Sequence, residues 1–179
     1  MAKSSVSDRA AANMSFKVRP ARREDAESVL TMMRELNDFQ ELPPAMITLD
    51  GILRDLFDSE RPFARVSLAV SPSPDGGEVL MGQVIYFVIF DAVTLQKLAY
   101  IEDIYVRPEY RCKGVGVALW KSVAEHGLLR GCDGLRLEVL STNKEAVDFY
   151  AKRGAKDLGP VYGFQHFKVV WDAPDGIKA

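Results

Sequence analysis

The stretch of the sequence with the most chemical information is a short glycine-containing loop between a predicted strand and a predicted helix. It reads R-C-K-G-V-G over residues 111–116. Glycines at Gly114 and Gly116 let backbone N–H groups approach an anion, and the start of a helix adds unsatisfied donors and a positive dipole end. Arg111 and Lys113 contribute formal charge. The loop therefore suits a pyrophosphate, although a structural turn would also explain a G-x-G of this kind.

The composition sets limits on what such a loop can serve. The chain has 179 residues, of which 47% are hydrophobic and 27% charged, with a formal net charge of −2. This composition is globular, and its charge balance disfavours a nucleic-acid module. Its apolar runs fall short of the roughly 20 residues of a membrane helix. The two cysteines cannot form a disulfide framework and favour a reducing, cytoplasmic setting. The two histidines are far apart in the sequence, which disfavours a zinc site or any other metal centre.

Hydrophobic periodicity and turn residues predict the elements that position the loop. A flexible leader over residues 1–15 precedes a single domain over residues 16–172. Strands are predicted at residues 16–19, 67–70, 79–90, 98–107 and 135–140, with one or two more between 158 and 171; helices are predicted at 23–40, 48–57, 115–130 and 143–153. An antiparallel first half followed by a β-α-β-α second half indicates a mixed α+β fold with helices on both faces of one sheet.

The order of motifs around the loop resembles one enzyme superfamily. Paired acids, Glu102-Asp103, precede E-D-x-x-V-x-P-x-x-R-x-x-G-x-G, and a later helix carries N-x-x-A-x-x-F-Y-x-x-x-G from Asn143 onward. This pattern resembles the GNAT superfamily of acetyl-CoA-dependent N-acetyltransferases. Within it, the segments L-x-Y-x-E-D and D-F-Y-x-K-R-G-A-x-D-L are similar to those of the diamine (spermidine/spermine) and thialysine acetyltransferases.

The resemblance implies a GNAT fold, a mostly antiparallel twisted sheet of six or seven strands that splays to admit acetyl-CoA. Backbone groups of the predicted strand at residues 98–107 would hold the pantetheine arm, and the loop at residues 111–116 would hold the pyrophosphate. The predicted helix at residues 143–153 would line the other side of the acetyl-CoA site. The cofactor-binding residues implied are Ile104, Tyr105, Val106, Arg111, Cys112, Lys113, Gly114, Val115, Gly116, Val117, Asn143, Ala146 and Tyr150.

Two residues are predicted to carry the proton transfers. A primary alkylamine has a pKa of roughly 10.4, so about a thousandth or less is neutral at pH 7. Glu102 can take the ammonium proton directly or through a water, and Tyr150 can protonate the leaving thiolate. In a regular strand Glu102 and Asp103 face opposite sides, and a bulge would relax that rule. The alternatives are a solvated strand edge for the acids and core packing for Phe149-Tyr150.

Further acids are expected to bind the cationic substrate. The substrate-binding set predicted from the sequence is Glu41, Asp91, Glu102, Asp103 and Glu138. Two acids expected from the polyamine enzymes fall on Gln40 and Tyr162 in this chain. A long polycation needs several spaced carboxylates, so the sequence favours a shorter amine such as thialysine, lysine or a small diamine.

The sequence leaves open three alternatives to direct transfer onto a small amine, and it leaves the oligomeric state open as well. A protein N-terminus or lysine could be the acceptor, a non-catalytic acyl-CoA sensor could retain the loop alone, and Cys112 could be a nucleophile. Direct transfer in a ternary complex needs no acyl-enzyme, so Cys112 is predicted not to act as a nucleophile. The resemblance also implies a homodimer that acts on a small-molecule amine.

Overall fold

The computed structural model describes residues 15–43 and 46–162, and the chain divides into two compact units at residues 138 and 139. The strands of the first unit are β1 (Lys17–Pro20), β2 (Arg65–Pro72), β3 (Glu78–Asp91), β4 (Gln96–Val106) and β5 (Gly134–Leu137). Its helices are α1 (Ala26–Phe39), α2 (Leu49–Ile52) and α3 (Val115–Leu129). The second unit contains α4 (Lys144–Ala151) and α5 (Gly159–Tyr162).

One mixed sheet organises the first unit. Its order is β1-β2-β3-β4-β5, and every pairing is antiparallel except that of β4 with β5. The predicted mostly antiparallel α+β fold is confirmed. The described residues hold five strands rather than the six or seven expected.

Helices cover both faces of this sheet. On one face α1 and α2 pack over a core that includes Leu68, Val70 and Ile85. On the other face α3 packs over a separate core that includes Met81 and Ala99. Residues alternate between these two cores along each strand, because successive side chains of a strand point to opposite faces. The expectation of helices on both faces is thus confirmed.

The two sides of β4 differ in how far they are paired. Its parallel pairing with β5 ends at Ile101↔Leu137, whereas its pairing with β3 continues to Val106↔Gly82. The backbone beyond Ile101 therefore faces a strand that has ended, as a splay in the sheet requires. Between Ile101 and Asp103 the register against β3 shifts by one residue, so that Glu102 is the extra residue of a β-bulge.

Several predicted elements differ from those observed. The second predicted helix is one α-turn, begun by the Thr48 hydroxyl accepting from Gly51 N at 3.1 Å, followed by a π-turn over Leu53–Phe57. A final strand predicted from residue 158 is wrong where it can be examined, because Gly159–Tyr162 is helical. Asp157 Oδ1 caps that turn by accepting from Gly159 N at 2.9 Å, and Pro160 favours a helix start. The rest of that predicted strand, from residue 163, lies outside the described residues.

Two further expectations concern the chain as a whole. No helix in the described parts of the chain is long and apolar enough to cross a bilayer. The predicted leader over residues 1–15 lies almost entirely outside the described residues, and the single domain over residues 16–172 stays a prediction.

Candidate active site

The glycine loop begins α3 in a geometry that leaves backbone donors free for an anion. Gly114 is the residue before the helix and has φ +85°, a conformation that favours glycine. The first intrahelical bond runs from Ala118 N to Gly114 O at 3.0 Å, so the N–H groups of Val115, Gly116 and Val117 have no partner within the helix. The first turn contains no acidic residue. These donors and the helix dipole fit the pyrophosphate of acetyl-CoA.

The two basic side chains of the loop contact neighbouring groups. Arg111 Nε donates to Val106 O at 3.1 Å, and its guanidinium lies 4.6 Å from the centre of the Phe39 ring. Lys113 Nζ lies 5.8 Å from the centre of the Tyr110 ring. Arg111 thus fixes the loop to the end of β4, in addition to supplying charge. Cys112 is exposed and has φ +58°.

The paired acids lie at the bulge where β4 parts from β5. Asp103 is opposite Ile85 in the register, so it lies on the α1 face of the sheet and is half-buried there, whereas Glu102 is exposed. Burial, and secondarily the negative charge of Glu102, raises the pKa of Asp103 to about 6. The bulge therefore brings two carboxyl groups into electrostatic contact that a regular strand would place on opposite faces.

A tyrosine and a third acid join this pair on the same face. Tyr100 lies between Ala99 and Ile101, which belong to the α3 core, so its own side chain is on the α1 face. Burial first, then the charges of Glu138 and Glu102, raises the pKa of Tyr100 to about 12, and Glu138 also hydrogen-bonds the Tyr100 side chain. We call Tyr100, Glu102, Asp103 and Glu138 the acidic patch.

Two of the predicted substrate acids lie elsewhere in the first unit. Asp91 ends β3, where its Oδ1 accepts from Val93 N at 2.9 Å and from Thr94 N at 3.3 Å, and its Oδ2 is 3.4 Å from Arg136 Nη1. It caps the β3–β4 turn and is partly neutralised. Glu41 follows α1, exposed, with φ +54°. The structure thus brings Glu102, Asp103 and Glu138 together and gives Asp91 a structural role as well.

The strand segment predicted to hold the pantetheine arm is firmly anchored. Ile104 and Val106 pack into the α3 core, and Tyr105 packs into the α1 core. At its end Arg107 makes two 3.0 Å hydrogen bonds to the Glu35 carboxylate of α1 and a third, of 3.1 Å, to Leu80 O. These contacts tie the end of β4 to α1 and to β3.

In the second unit, two predicted cofactor residues form a helix cap. Asn143 precedes α4 and its side-chain oxygen accepts from Ala146 N at 3.1 Å. This is a standard N-cap, which removes one orphan donor of the helix. The cap explains why an asparagine stands at this position even before any ligand is considered.

Tyr150, on α4, is buried. Its ring meets that of Phe149 edge to face at 5.3 Å, and the Arg153 guanidinium lies 3.4 Å from the centre of the Phe149 ring. Arg153 also donates to Phe149 O. The phenol that we predict to be the general acid is therefore on a helix whose aromatic pair is held by packing and by a cation–π contact.

Sequence reasoning missed two residues beside the acids, Tyr100 and Arg136. A period-2 pattern through residues 98–101 could have placed Tyr100 on the face of the acids. Arg136 could not have been placed there, because its position depends on the parallel register of β4 with β5. Within residues 15–43 and 46–162 no group of three or more His, Cys, Asp or Glu side chains is arranged to hold a metal.

Comparisons with known proteins agree with this geometry. Residues 31–155 match the Acetyltransferase (GNAT) family. The chain is 36% identical to the thialysine N-epsilon-acetyltransferase of Sus scrofa over 159 residues, which are 87% of this chain and 93% of that protein. It is 28% identical to the spermidine/spermine N(1)-acetyltransferase-like protein 1 of Homo sapiens over 86% of this chain and 22% of that protein.

A solved structure shows the same fold at low sequence identity. An aminoglycoside acetyltransferase from an uncultured soil metagenomic sample, in complex with trehalose, superposes with a TM-score of 0.67 at 18% identity. The superposition covers 88% of this chain and 97% of that one. With the loop, the sheet order and the early end of the β4–β5 pairing, these findings show that the chain belongs to the GNAT acetyltransferase family and is an acetyl-CoA-dependent amine N-acetyltransferase.

Proposed function

We propose that the enzyme transfers the acetyl group of acetyl-CoA directly to a primary amine of a small molecule, within a ternary complex. One observation carries this proposal: a carboxylate pair sits in a β-bulge of the strand that leads into the anion-binding loop. The relatives named for thialysine support a small acceptor, since one matches over 93% of its length. Acetyl-CoA is a substrate of this reaction, and it supplies the activated acetyl thioester.

The binding role of the chain falls to backbone groups. The N–H groups of Val115, Gly116 and Val117 would bind the pyrophosphate, with Gly114 setting their direction. The backbone of Ile104, Tyr105 and Val106 would bind the pantetheine arm, and an N–H group that faces away from β3 would polarise the thioester carbonyl. Arg111, Cys112 and Lys113 complete the loop, and Asn143 and Ala146 are further residues that we propose to bind acetyl-CoA.

The proton balance assigns two side chains. Glu102 takes a proton from the bound ammonium, which frees the nitrogen lone pair to form the new C–N bond. As the C–S bond breaks, the phenol of Tyr150 gives its proton to the sulfur, and the attacking nitrogen loses its second proton to the resulting tyrosinate through solvent, which restores the phenol. Asp103 and Glu138 add negative charge that holds the ammonium, and Asp103, with its pKa near 6, is the second candidate for the base.

Release of CoA measures this proposal directly. The enzyme would be supplied with acetyl-CoA and, separately, thialysine, lysine, putrescine, spermidine, spermine and a lysine peptide, with Tyr150→Phe in parallel and Tyr110→Phe as a control. We expect turnover of a small amine and a fall in kcat of about 10²-fold or more in Tyr150→Phe. Turnover of the peptide alone would contradict a small acceptor, and binding of acetyl-CoA with no turnover on any amine would indicate a sensor.

The assembly and the location predicted from the sequence, a homodimer in the cytoplasm, remain proposals. Sedimentation velocity of the purified enzyme tests the dimer, since a dimer has twice the mass of 19.9 kDa that the chain has alone. A monomer at assay concentration would contradict it.

A further inference from the structure

Arg136 is the one guanidinium of β5, and it lies on the face that carries the acidic patch. Its neighbours Leu135 and Leu137 pack against the α3 core, so the alternation of a strand directs Arg136 to the opposite face. In the register Arg136 is paired with Tyr100, and its positive charge opposes the rise in the Tyr100 pKa. Arg136 therefore stands beside Tyr100, a member of the acidic patch.

The ion pair that Arg136 makes is a loose one. A single nitrogen, Nη1, lies 3.4 Å from Asp91 Oδ2, whereas charge-assisted hydrogen bonds are ordinarily about 2.7–2.9 Å long. Arg19 and Asp25 in the same chain show the tight alternative, two bonds of 2.7 and 2.9 Å. Asp91 is held by the turn that it caps, so it does not depend on Arg136 for its position.

The spacing of opposite charges on this face matches one class of acceptor. Asp103 lies three residues beyond Tyr100 on β4, which at the usual rise is roughly 10 Å along the strand, somewhat less across a bulge. A guanidinium fork at one end suits a carboxylate, and acids at the other end suit an ammonium group. A polyamine has no group for Arg136, and its second ammonium would be repelled there.

We propose that Arg136 binds the α-carboxylate of an amino-acid acceptor and so makes the enzyme select ω-amino acids over the corresponding diamines. This inference rests on the proposed function, because it needs the ω-amine to be the group that is acetylated. On binding, the carboxylate replaces the loose contact with Asp91 by a bidentate pair. Arg136 is thus a specificity-determining residue that takes no part in proton transfer.

Matched acceptors that differ only in the carboxylate test this assignment. Lysine is compared with cadaverine, ornithine with putrescine, and thialysine with bis(2-aminoethyl) sulfide, for the wild type and for Arg136→Gln and Arg136→Lys. The control is Arg130→Gln, since Arg130 lines a hollow on the α3 side with Val88 and Leu129. Thermal unfolding of each variant verifies that it is folded.

We expect the wild type to favour the amino acid of each pair in kcat/KM. In Arg136→Gln the KM for the amino acid rises about 10–100-fold, as loss of a charged hydrogen-bonding partner predicts, with kcat little changed and the diamine unaffected or improved. Arg136→Lys retains part of the preference, because it keeps the charge without the fork.

Three outcomes would contradict the inference, and they can be told apart. If Arg136→Gln weakens both members of each pair equally, the residue is structural and the proposed function still stands. If the wild type prefers the diamines, Arg136 does not select carboxylates. If the wild type acetylates neither class while acetyl-CoA still binds, the proposed function itself fails and the inference fails with it.

Discussion

The anion loop and all of the acidic patch except Glu138 lie on one strand–loop–helix stretch, yet the loop and the patch are built in different ways. The loop offers backbone N–H groups whose direction is set by Gly114 and by the first turn of α3. The acidic patch offers side chains that three strands and a register shift bring together. A site made of backbone is fixed by local sequence, whereas a site made of side chains depends on how distant segments pair.

This difference predicts that the two regions can be disabled separately, and Glu102→Gln should give the largest effect. Loss of the general base lowers kcat/KM for the amine about 10²–10⁴-fold near pH 7, while acetyl-CoA binding by calorimetry stays unchanged. The deficit should shrink as the pH approaches the roughly 10.4 of the amine, because a neutral amine needs no base.

The control for this variant is Glu125→Gln, an exposed acid on α3. An equal loss in both variants would indicate a general effect of charge. If Asp103→Asn loses more activity than Glu102→Gln, Asp103 is the general base instead of Glu102.

Gly114→Ala should disable the loop and leave the acids intact. A side chain at φ +85° costs roughly 1–2 kcal/mol of backbone strain, so the loop relaxes and the KM for acetyl-CoA rises about 10-fold. Gly76→Ala is a matched control, since Gly76 has φ +87° and, like Gly114, has open space around an added Cβ. Both variants should lose similar stability, and only Gly114→Ala should lose acetyl-CoA affinity.

A similar rise in KM for both glycine variants would show that strain anywhere in the unit weakens the cofactor site. The separation of the two regions would then be wrong. Initial rates at saturating amine, with acetyl-CoA varied, give the comparison.

Asp103 should give the smallest effect, a pH-dependent change in stability. Its folded-state pKa is raised to about 6, so the neutral form is favoured by folding. Its contribution is complete below the unfolded pKa of about 3.9 and is lost as the pH rises through 6. Between pH 4 and 8 the wild type should lose about 5–10 °C more of its unfolding temperature than Asp103→Asn, since about two pKa units correspond to roughly 2–3 kcal/mol. Parallel curves for the two proteins would contradict a buried carboxyl at this position.

Most of the fold and about half of the candidate active site can be predicted from the sequence, because those parts depend on local signals. Helix α3, strands β3 and β4 and the loop follow from local periodicity, glycine and capping, so they lie close to their predicted positions. The π-turn at Leu53–Phe57 has no comparable local signal. Gly159–Tyr162 is helical where a strand is predicted, because a capped Pro turn outweighs the apolar pattern after it.

The acidic patch shows where local reasoning stops. The acids themselves are visible in the sequence, and a bulge could be named as a possibility. The shared face of Asp103 and Glu138 depends on the β3–β4 shift and on the Ile101↔Leu137 pairing. Arg136 was missed for the same reason, since no local pattern says that β5 ends beside the acids.

Initial rates measured over a matrix of acetyl-CoA and amine concentrations test most directly the claim that both substrates meet on the enzyme. Direct transfer in a ternary complex predicts double-reciprocal lines that intersect, and the same pattern in a Cys112→Ala variant. Parallel lines, together with a CoA burst that Cys112→Ala abolishes, would show an acyl-enzyme at the loop and would contradict the roles proposed for Glu102 and Tyr150.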